Sequence, residues 1–559
     1  MPHSLKLVSL AALPFFALSG FAQASAPAAA AAGARGQSVV VDVVATDKSG
    51  HPVSDLKQAD FTVQEDGAPQ TLKAFQAHAA PAASTSFPAP TPMPANIYEN
   101  LSPLPAGTPV NVLLIDELNT PDADRAFVRD QLLQYVKNAS PGTPVAVFAL
   151  TDRLIMLQGF NSDPAILKAA MESASPAAGS LPASAGVVNA TGGPDPATLL
   201  AGLQHMAAAP PPLQPEQSAL ATMDAMEMIG RYLAAYPGRK NLIWFSGSFP
   251  VSVLPDGSSI NPFAALPHNE DEYRAVARLF GSGQIAVYPI YANPTGNASP
   301  TADSGNAIMQ QMAQATGGQA FVNTKGLADT FAQAVQAGAA YYTLTYDSSH
   351  PGGDRAYRKI EVSLRQPGAT LQYRRGYYTP SATHEPFAGD PAAGVPDKTM
   401  RLAMLRGAPD PTEIVFKTRV LPSEGGKEGK LAPDNLLSLQ AKGVKASYRN
   451  YVVDVAADPG GVSFLPQPGG KYKADLQAVV FVYDENGTLV NQTGREMATD
   501  LTLDQYKPVF AHGIQFHEVV SVPVEGVYYL RIGLHDINSD HVGAMEAPVA
   551  GIQNPSGAK

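Results

Sequence analysis

Val110-Asn111-Val112-Leu113-Leu114-Ile115-Asp116-Glu117-Leu118-Asn119-Thr120 is the stretch on which the reading of this chain turns. Five of its first six residues are apolar, with no alternation. Successive side chains of a strand point to opposite faces, so an unbroken apolar run predicts a strand covered on both sides. The run ends on Asp116, which places a carboxylate at the strand's carboxyl end, where open α/β sheets bind their ligands. Outward from this point, apolar strands and amphipathic helices alternate. A helix is predicted around Arg125–Asn138, with Val128, Leu132, Tyr135 and Val136 on one face. Strands follow at Pro144–Leu150 and Leu154–Leu157, and a helix opens at Pro164. A long helix at Gln217–Ala235 carries Leu220, Met223, Met226, Ile229 and Leu233. Strand Asn241–Phe245, helix Asp271–Phe280, strand Ile285–Tyr291 and helices Asn306–Ala315 and Leu327–Ala337 complete the series. This alternation predicts an α/β fold, doubly wound around a mostly parallel sheet, over residues 109–340.

The flanks read differently. Residues 37–78 hold strands Val39–Ala45 and Phe61–Glu65 and form a small β-module, and the three strands expected in 341–378 are placed to complete it. Residues 79–108 and 379–411 are rich in Pro, Ala and Gly and are read as linkers. Residues 412–552 give several strands joined by turns such as Asp484-Glu485-Asn486-Gly487, and a β-sandwich is expected.

Composition bounds the function. The 559 residues are 45% hydrophobic and 16% charged, which supplies real cores and excludes wholesale disorder. A net charge of -11 argues against nucleic acid as a partner, because a phosphate-binding face needs basic residues. Residues 1–24 read as a signal peptide: Lys6, an apolar run Leu7–Phe21 and the small-residue site Ala22-Gln23-Ala24. An Ala-rich spacer, 25–36, follows. No later stretch is long and apolar enough to span a bilayer, so no transmembrane anchor is expected after cleavage, and the protein is expected to be exported, periplasmic or secreted. The chain has no cysteine, which excludes disulfides, thiolate metal sites and cysteine nucleophiles.

Several segments together resemble the VWFA-related family of exported acidobacterial proteins, built on a von Willebrand factor A-like domain. They are Val41-Asp42-Val43-Val44 with Gly50-His51-Pro52-Val53, Asp60-Phe61-Thr62-Val63 with Glu65-Asp66-Gly67, Val112–Asp116, Pro237–Ser246, Val287-Tyr288-Pro289-Ile290 and Arg374-Arg375-Gly376-Tyr377-Tyr378. The resemblance spans about residues 37–378 and leaves the C-terminal sandwich outside it. It implies a metal-ion-dependent adhesion site of the D-x-S-x-S type, in which oxygen ligands hold Mg²⁺ and an open position takes a partner's carboxylate. Here Asp116 and Thr120 keep the first and last positions, while Leu118 replaces the middle hydroxyl and Ser246 stands where a later Asp is expected. Thr198 is the candidate second-loop threonine. Two readings follow: Mg²⁺ on Asp116 and Thr120, with Glu117 or Asn119 assisting, or a metal-free loop in which Asp116 caps the following turn. The second is preferred, with Glu117, Asn119, Ser246 and Ser248 as candidates for a ligand-binding face.

No G-x-S-x-G, H-E-x-x-H or phosphate-loop pattern occurs. His535-Asp536 with Asp540-His541 are read as solvated turn residues rather than metal ligands, His268–Glu272 as an acidic helix start, Trp244 as core, and Arg374 and Arg375 as facing solvent or carboxylates, with phosphate or glycan contact left open. The expected function is an exported binding or adhesion-type protein, not an enzyme and with no cofactor beyond the possible Mg²⁺, that engages a protein or envelope polymer. The alternative is an extracytoplasmic hydrolase with its site between the A-like and C-terminal β domains.

Overall fold

A computed structural model of the chain describes residues 37–79, 93–102, 104, 108, 110–121, 124, 144–161, 215–249, 269–291, 302–322, 327–350, 353–366, 368–379, 398–423, 427–438 and 447–553. The expectations for the leader and spacer, the helices at 125–138 and after Pro164, Thr198 and His268 lie outside these residues. Everything below belongs to the compact unit Gly36–Lys559.

The decisive segment forms strand Val110–Asp116, every residue of which is buried. It is the middle of a five-stranded sheet in the order Ile285–Tyr291, Lys240–Ser246, Val110–Asp116, Val145–Leu150, Leu154–Asn161. The first three pairings are parallel and the last is antiparallel. Leu114 lies beside Trp244 and Asp116 beside Ser246, so two strands deliver their polar ends to the same place.

The doubly wound, mostly parallel α/β expectation is overturned. The described residues are mostly antiparallel β-structure, and parallel pairing is confined to this one mixed sheet. The physical reason lies in two places. Leu150 and Leu154 are joined by only three residues, too few for the crossover that a parallel neighbour requires, so the two strands form a hairpin. The strands on either flank also outnumber those of the mixed sheet.

On one side, Ser38–Thr46 pairs antiparallel with Tyr341–Asp347, which in turn pairs with Leu72–His78. A second sheet sets Phe61–Glu65 against Tyr357–Leu364 and places Gly376–Tyr378 at its edge. Val41, Val43, Phe61, Val63, Leu344, Tyr346 and Ile360 fill the space between the two sheets. Tyr341–Asp347 buries every second residue, as a strand with one face on a core must.

On the other side, Tyr448–Ala457 pairs with Phe416–Pro422 and Ile514–Pro523, opposite a sheet built on Lys471–Asp484, Leu489–Leu501, Tyr528–Asp536 and His541–Pro548. Phe416, Val453, Val480, Ile532 and Met545 lie in their shared core. Two segments read as linker are structured. Ile97–Glu99 adds a strand to Phe416–Pro422, pinned by the Asn100 side chain, whose amide donates to Pro411 and Ile414 carbonyls at 2.8 and 2.9 Å. Lys398–Ala403 is a helix whose Met400 and Ala403 pack into the core under the mixed sheet.

Among the described residues, no helix is long and apolar enough to cross a membrane.

Candidate functional site

The loops that leave Val110–Asp116 and Lys240–Ser246 are tied together through Asp116, which is 1% exposed. Its Oδ1 accepts from the Asn119 amide nitrogen at 2.9 Å, and the Asn119 side-chain amide reaches both carboxylate oxygens at 3.1 and 2.9 Å. Trp244 Nε1 donates to Oδ2 at 3.0 Å. The Asn119 amide also donates to Thr222 Oγ1 at 3.1 Å, linking the loop to helix Pro215–Tyr232. Burial pushes the Asp116 carboxyl up to about 6, and the Asn119 and Trp244 hydrogen bonds oppose only part of that rise. Thr120 donates its hydroxyl to the Asp116 carbonyl and accepts from Gly247 N at 2.9 Å. A Cβ on Gly247 would fall 2.9 Å from Pro121 Cδ and 3.0 Å from Thr120 Cγ2, so the two loops meet where only glycine fits. Ser246 Oγ donates to the Ser248 carbonyl at 2.6 Å.

This donor set does not fit Mg²⁺. An octahedral ion needs oxygen lone pairs directed at one point. Both Asp116 oxygens already take protein N–H groups, the Thr120 and Ser246 hydroxyl oxygens accept from Gly247 N and Ser248 N, and Leu118 offers no ligand. Trp244, expected as core, is buried, and its indole N–H is also a member of this hub. Of the candidates for the ligand face, Glu117 and Ser246 are buried, while Asn119 and Ser248 are half-buried.

A second polar assembly joins helix Pro215–Tyr232 to the C-terminal sheets. Arg231 pairs with Glu227 at 3.0 Å, Glu413 at 2.6 Å and Asp540 at 2.7 Å, its own side chain only 6% exposed. Three surrounding carboxylates raise the Arg231 pKa despite its burial. Lys398 adds Asp224 at 2.7 Å and Glu227 at 3.5 Å. Asp540 Oδ1 lies 3.0 Å from His535 Nε2, and Thr399 Oγ1 donates to Asp540 Oδ2 at 3.0 Å. The solvated turn expected at 535–541 is therefore corrected: His535 and Asp536 are buried, and Asp540 is an ion-pair partner. The helix end is closed by Thr412, whose hydroxyl donates to the Tyr232 carbonyl at 2.9 Å and accepts from Ala235 N at 3.0 Å.

A third assembly was not singled out from sequence as a site, although Asp42, Arg239, Arg374 and Tyr378 stand in the quoted segments. A cleft between the N-terminal sheets and the mixed sheet is lined by Asp42, Arg239, Phe280, Gln284, Arg374 and Tyr378, among others. Arg239 donates to Tyr288 Oη at 3.1 Å and to the Gly317 carbonyl at 2.7 Å. Arg374 donates to the Val40 carbonyl at 2.8 Å and stacks 5.6 Å from the Tyr377 ring centre. Half-buried, Arg374 thus meets a carbonyl and an aromatic face rather than open solvent. Asp42 accepts from Gln284 at 2.9 Å and Thr343 at 2.7 Å. Beside it, desolvation lowers Lys240 to about 8. Nearby, Glu65 is wholly buried and accepts from Tyr346, Ser348, His350 and Tyr377 at 2.5–3.0 Å. The hydrogen bonds hold its carboxyl below the usual range against the opposing effect of burial.

No protein-family model and no curated protein matches the chain. Similar solved structures include an aerotolerance-related membrane protein from Bacteroides fragilis, at 12% identity and a TM-score of 0.22, covering 40% of this chain and 98% of that one. A von Willebrand factor type A protein from Catenulispora acidiphila aligns at 10% identity and a TM-score of 0.22, over 89% of this chain and 74% of that one. Three N-terminal domains of the type V pili tip protein Mfa5 from Porphyromonas gingivalis align at 10% identity and a TM-score of 0.22, over 87% and 77%. Scores at this level transfer neither fold nor function, and the acidobacterial family resemblance rests on the sequence segments alone.

Proposed function

We propose that the chain is an exported binding protein of the adhesion type, periplasmic or secreted, which engages a protein or a cell-envelope polymer without a metal ion. The surface assigned to the partner is formed by the strand-end loops, where Leu118, Asn119 and Ser248 remain half-buried. One observation carries this reading: the Asp116 carboxylate is spent on Asn119 and Trp244, so it serves to fix two loops against each other. A fixed loop pair loses little conformational freedom on binding, which favours recognition. Binding of the purified chain to immobilised envelope fractions tests the proposal. We expect saturable binding, unchanged by EDTA and weakened roughly tenfold or more by Ser248→Arg, as a bulky charge in an interface core would do. Binding indifferent to Ser248→Arg, or lost in EDTA, would overturn it.

The hydrolase alternative has one observation in its favour, since His535 and Asp540 meet at the border between helix Pro215–Tyr232 and the C-terminal sheets. Arg231 weighs against it, because a carboxylate already shared with a guanidinium and with Thr399 is placed for structure.

A further inference from the structure

The cleft lined by Arg239 and Arg374 has an unusual charge count for its burial. Arg239 is 4% exposed and Lys240 is 2% exposed, and Arg374 joins them, while Asp42 is the carboxylate whose field reaches all three. Among the residues that line the cleft one positive charge is left over, and Lys240, whose ammonium donates to the Gly283 carbonyl at 2.7 Å, is a further cation in the field of Asp42. Buried charges are costly unless paired, and a guanidinium carries five N–H groups that need acceptors. Both Arg239 Nε and Arg374 Nε are buried without a hydrogen-bond partner. The half-open cleft offers ≈ 40 Å³. One water needs roughly 10–15 Å³ by the same measure, so the space suits a group of several oxygens. Tyr357, Tyr377 and Tyr378 stand at its wall and leave an apolar side for an organic substituent.

We propose that this cleft binds a phosphate group, free or as a monoester, held between Arg239 and Arg374. Phosphate carries about −1.5 to −2 charges at neutral pH and has oxygens enough to meet two guanidinium forks, which matches both the excess charge and the orphan donors. This site is separate from the strand-end loops and does not depend on their role.

The geometry supplies a test that spares the charges themselves. Gly281 lies in helix Glu270–Ser282, and a Cβ there would fall 2.6 Å from Arg374 Nη1, the movable tip of a side chain. Gly281→Ala therefore displaces the guanidinium while favouring the helix. Calorimetric titration of the full chain, in a buffer free of oxyanions, would use inorganic phosphate, glycerol phosphate and acetate. We expect saturable phosphate binding, weakened on the order of thirtyfold by Arg374→Gln and also by Gly281→Ala with the melting temperature maintained. Asp42→Asn should tighten binding several-fold, because it removes the competing carboxylate, an outcome that a merely structural cluster would not give. Glycerol phosphate binding as well as phosphate would identify the ligand as a phosphate carried on a larger molecule. Phosphate binding alone would identify the free ion. No saturable binding, acetate binding equal to phosphate, or binding indifferent to Gly281→Ala would overturn the proposal.

Discussion

The Arg231 cluster and the Arg239–Arg374 cleft are built from the same side chains in opposite proportion. Around Arg231, one guanidinium meets Glu227, Glu413 and Asp540, with Lys398 as a second cation, and each charge has partners at ion-pair distance. Around Asp42, one carboxylate faces three cations, and two guanidinium Nε groups have no acceptor. The first arrangement is complete by itself and clamps a helix to the C-terminal sheets. The second is complete only with an added anion. Burial alone does not separate structure from binding, whereas the presence or absence of an acceptor for each buried donor does.

Replacing Arg231 by Met should have the largest effect. It takes the shared guanidinium from three carboxylates, of which Glu227 keeps Lys398, and breaking a buried pair in this way costs about 3–5 kcal/mol. Chemical denaturation of the variant should show that loss. Arg374→Gln should cost no more than about 1 kcal/mol in the same assay, because the cation it removes is surplus. Equal losses at the two positions would break the comparison and make the cleft a second clamp.

Glu65 offers an intermediate case, a carboxylate satisfied by three hydroxyl groups and the His350 ring. Glu65→Gln should cost roughly 1–3 kcal/mol, since a buried hydrogen-bond set loses its matched acceptor. The folded-state carboxyl of Glu65 is held below 4.5, so its contribution is present above that pH and is lost as pH falls through the folded value. Stability measured against pH in wild type and Glu65→Gln should therefore converge in acid.

Lys240 sharpens the comparison through its pH dependence. Its folded pKa is lowered from 10.5 to about 8, so the native state sheds its proton first and stability rises as pH climbs between those values. A bound anion favours the charged lysine, so saturating phosphate should flatten that rise. A slope unchanged by phosphate would separate Lys240 from the anion site.

Much of this was legible in sequence and some was not, for physical reasons. The apolar runs at Val110–Ile115 and Ile285–Tyr291 marked buried strands because both faces are covered. Apolar pattern carries no strand direction, however, so the antiparallel Leu154–Asn161 was absorbed into a parallel sheet, and only the three-residue connection signalled the hairpin. Ile97–Glu99 was hidden by the prolines around it, since its stability comes from Asn100 contacts more than three hundred residues away. Asp116 and Thr120 were read as the ends of a degenerate metal loop or a turn cap, and Trp244 correctly as core, but the indole hydrogen bond that joins them comes from another strand and left no local signal. The hydrogen bond from Gln284 to Asp42 and the meeting of Asp42 with Arg239 and Arg374 in one cleft are likewise long-range, so three segments noted separately gave no hint of it.

The proposal that the Asp116 hub works without a metal is tested most directly by the emission of Trp244, the chain's single tryptophan, whose indole N–H donates to Asp116. The folded carboxyl stands at about 6 against 3.8 in the unfolded chain, so protonation stabilises the fold as pH falls from about 6 toward 4. We predict that Trp244 emission titrates with a midpoint near pH 6, that Asp116→Asn removes the transition, and that millimolar Mg²⁺ or Mn²⁺ leaves it in place. A metal-induced change in Trp244 emission that disappears in Asp116→Ala would contradict this, and would return the strand-end loops to metal-dependent adhesion.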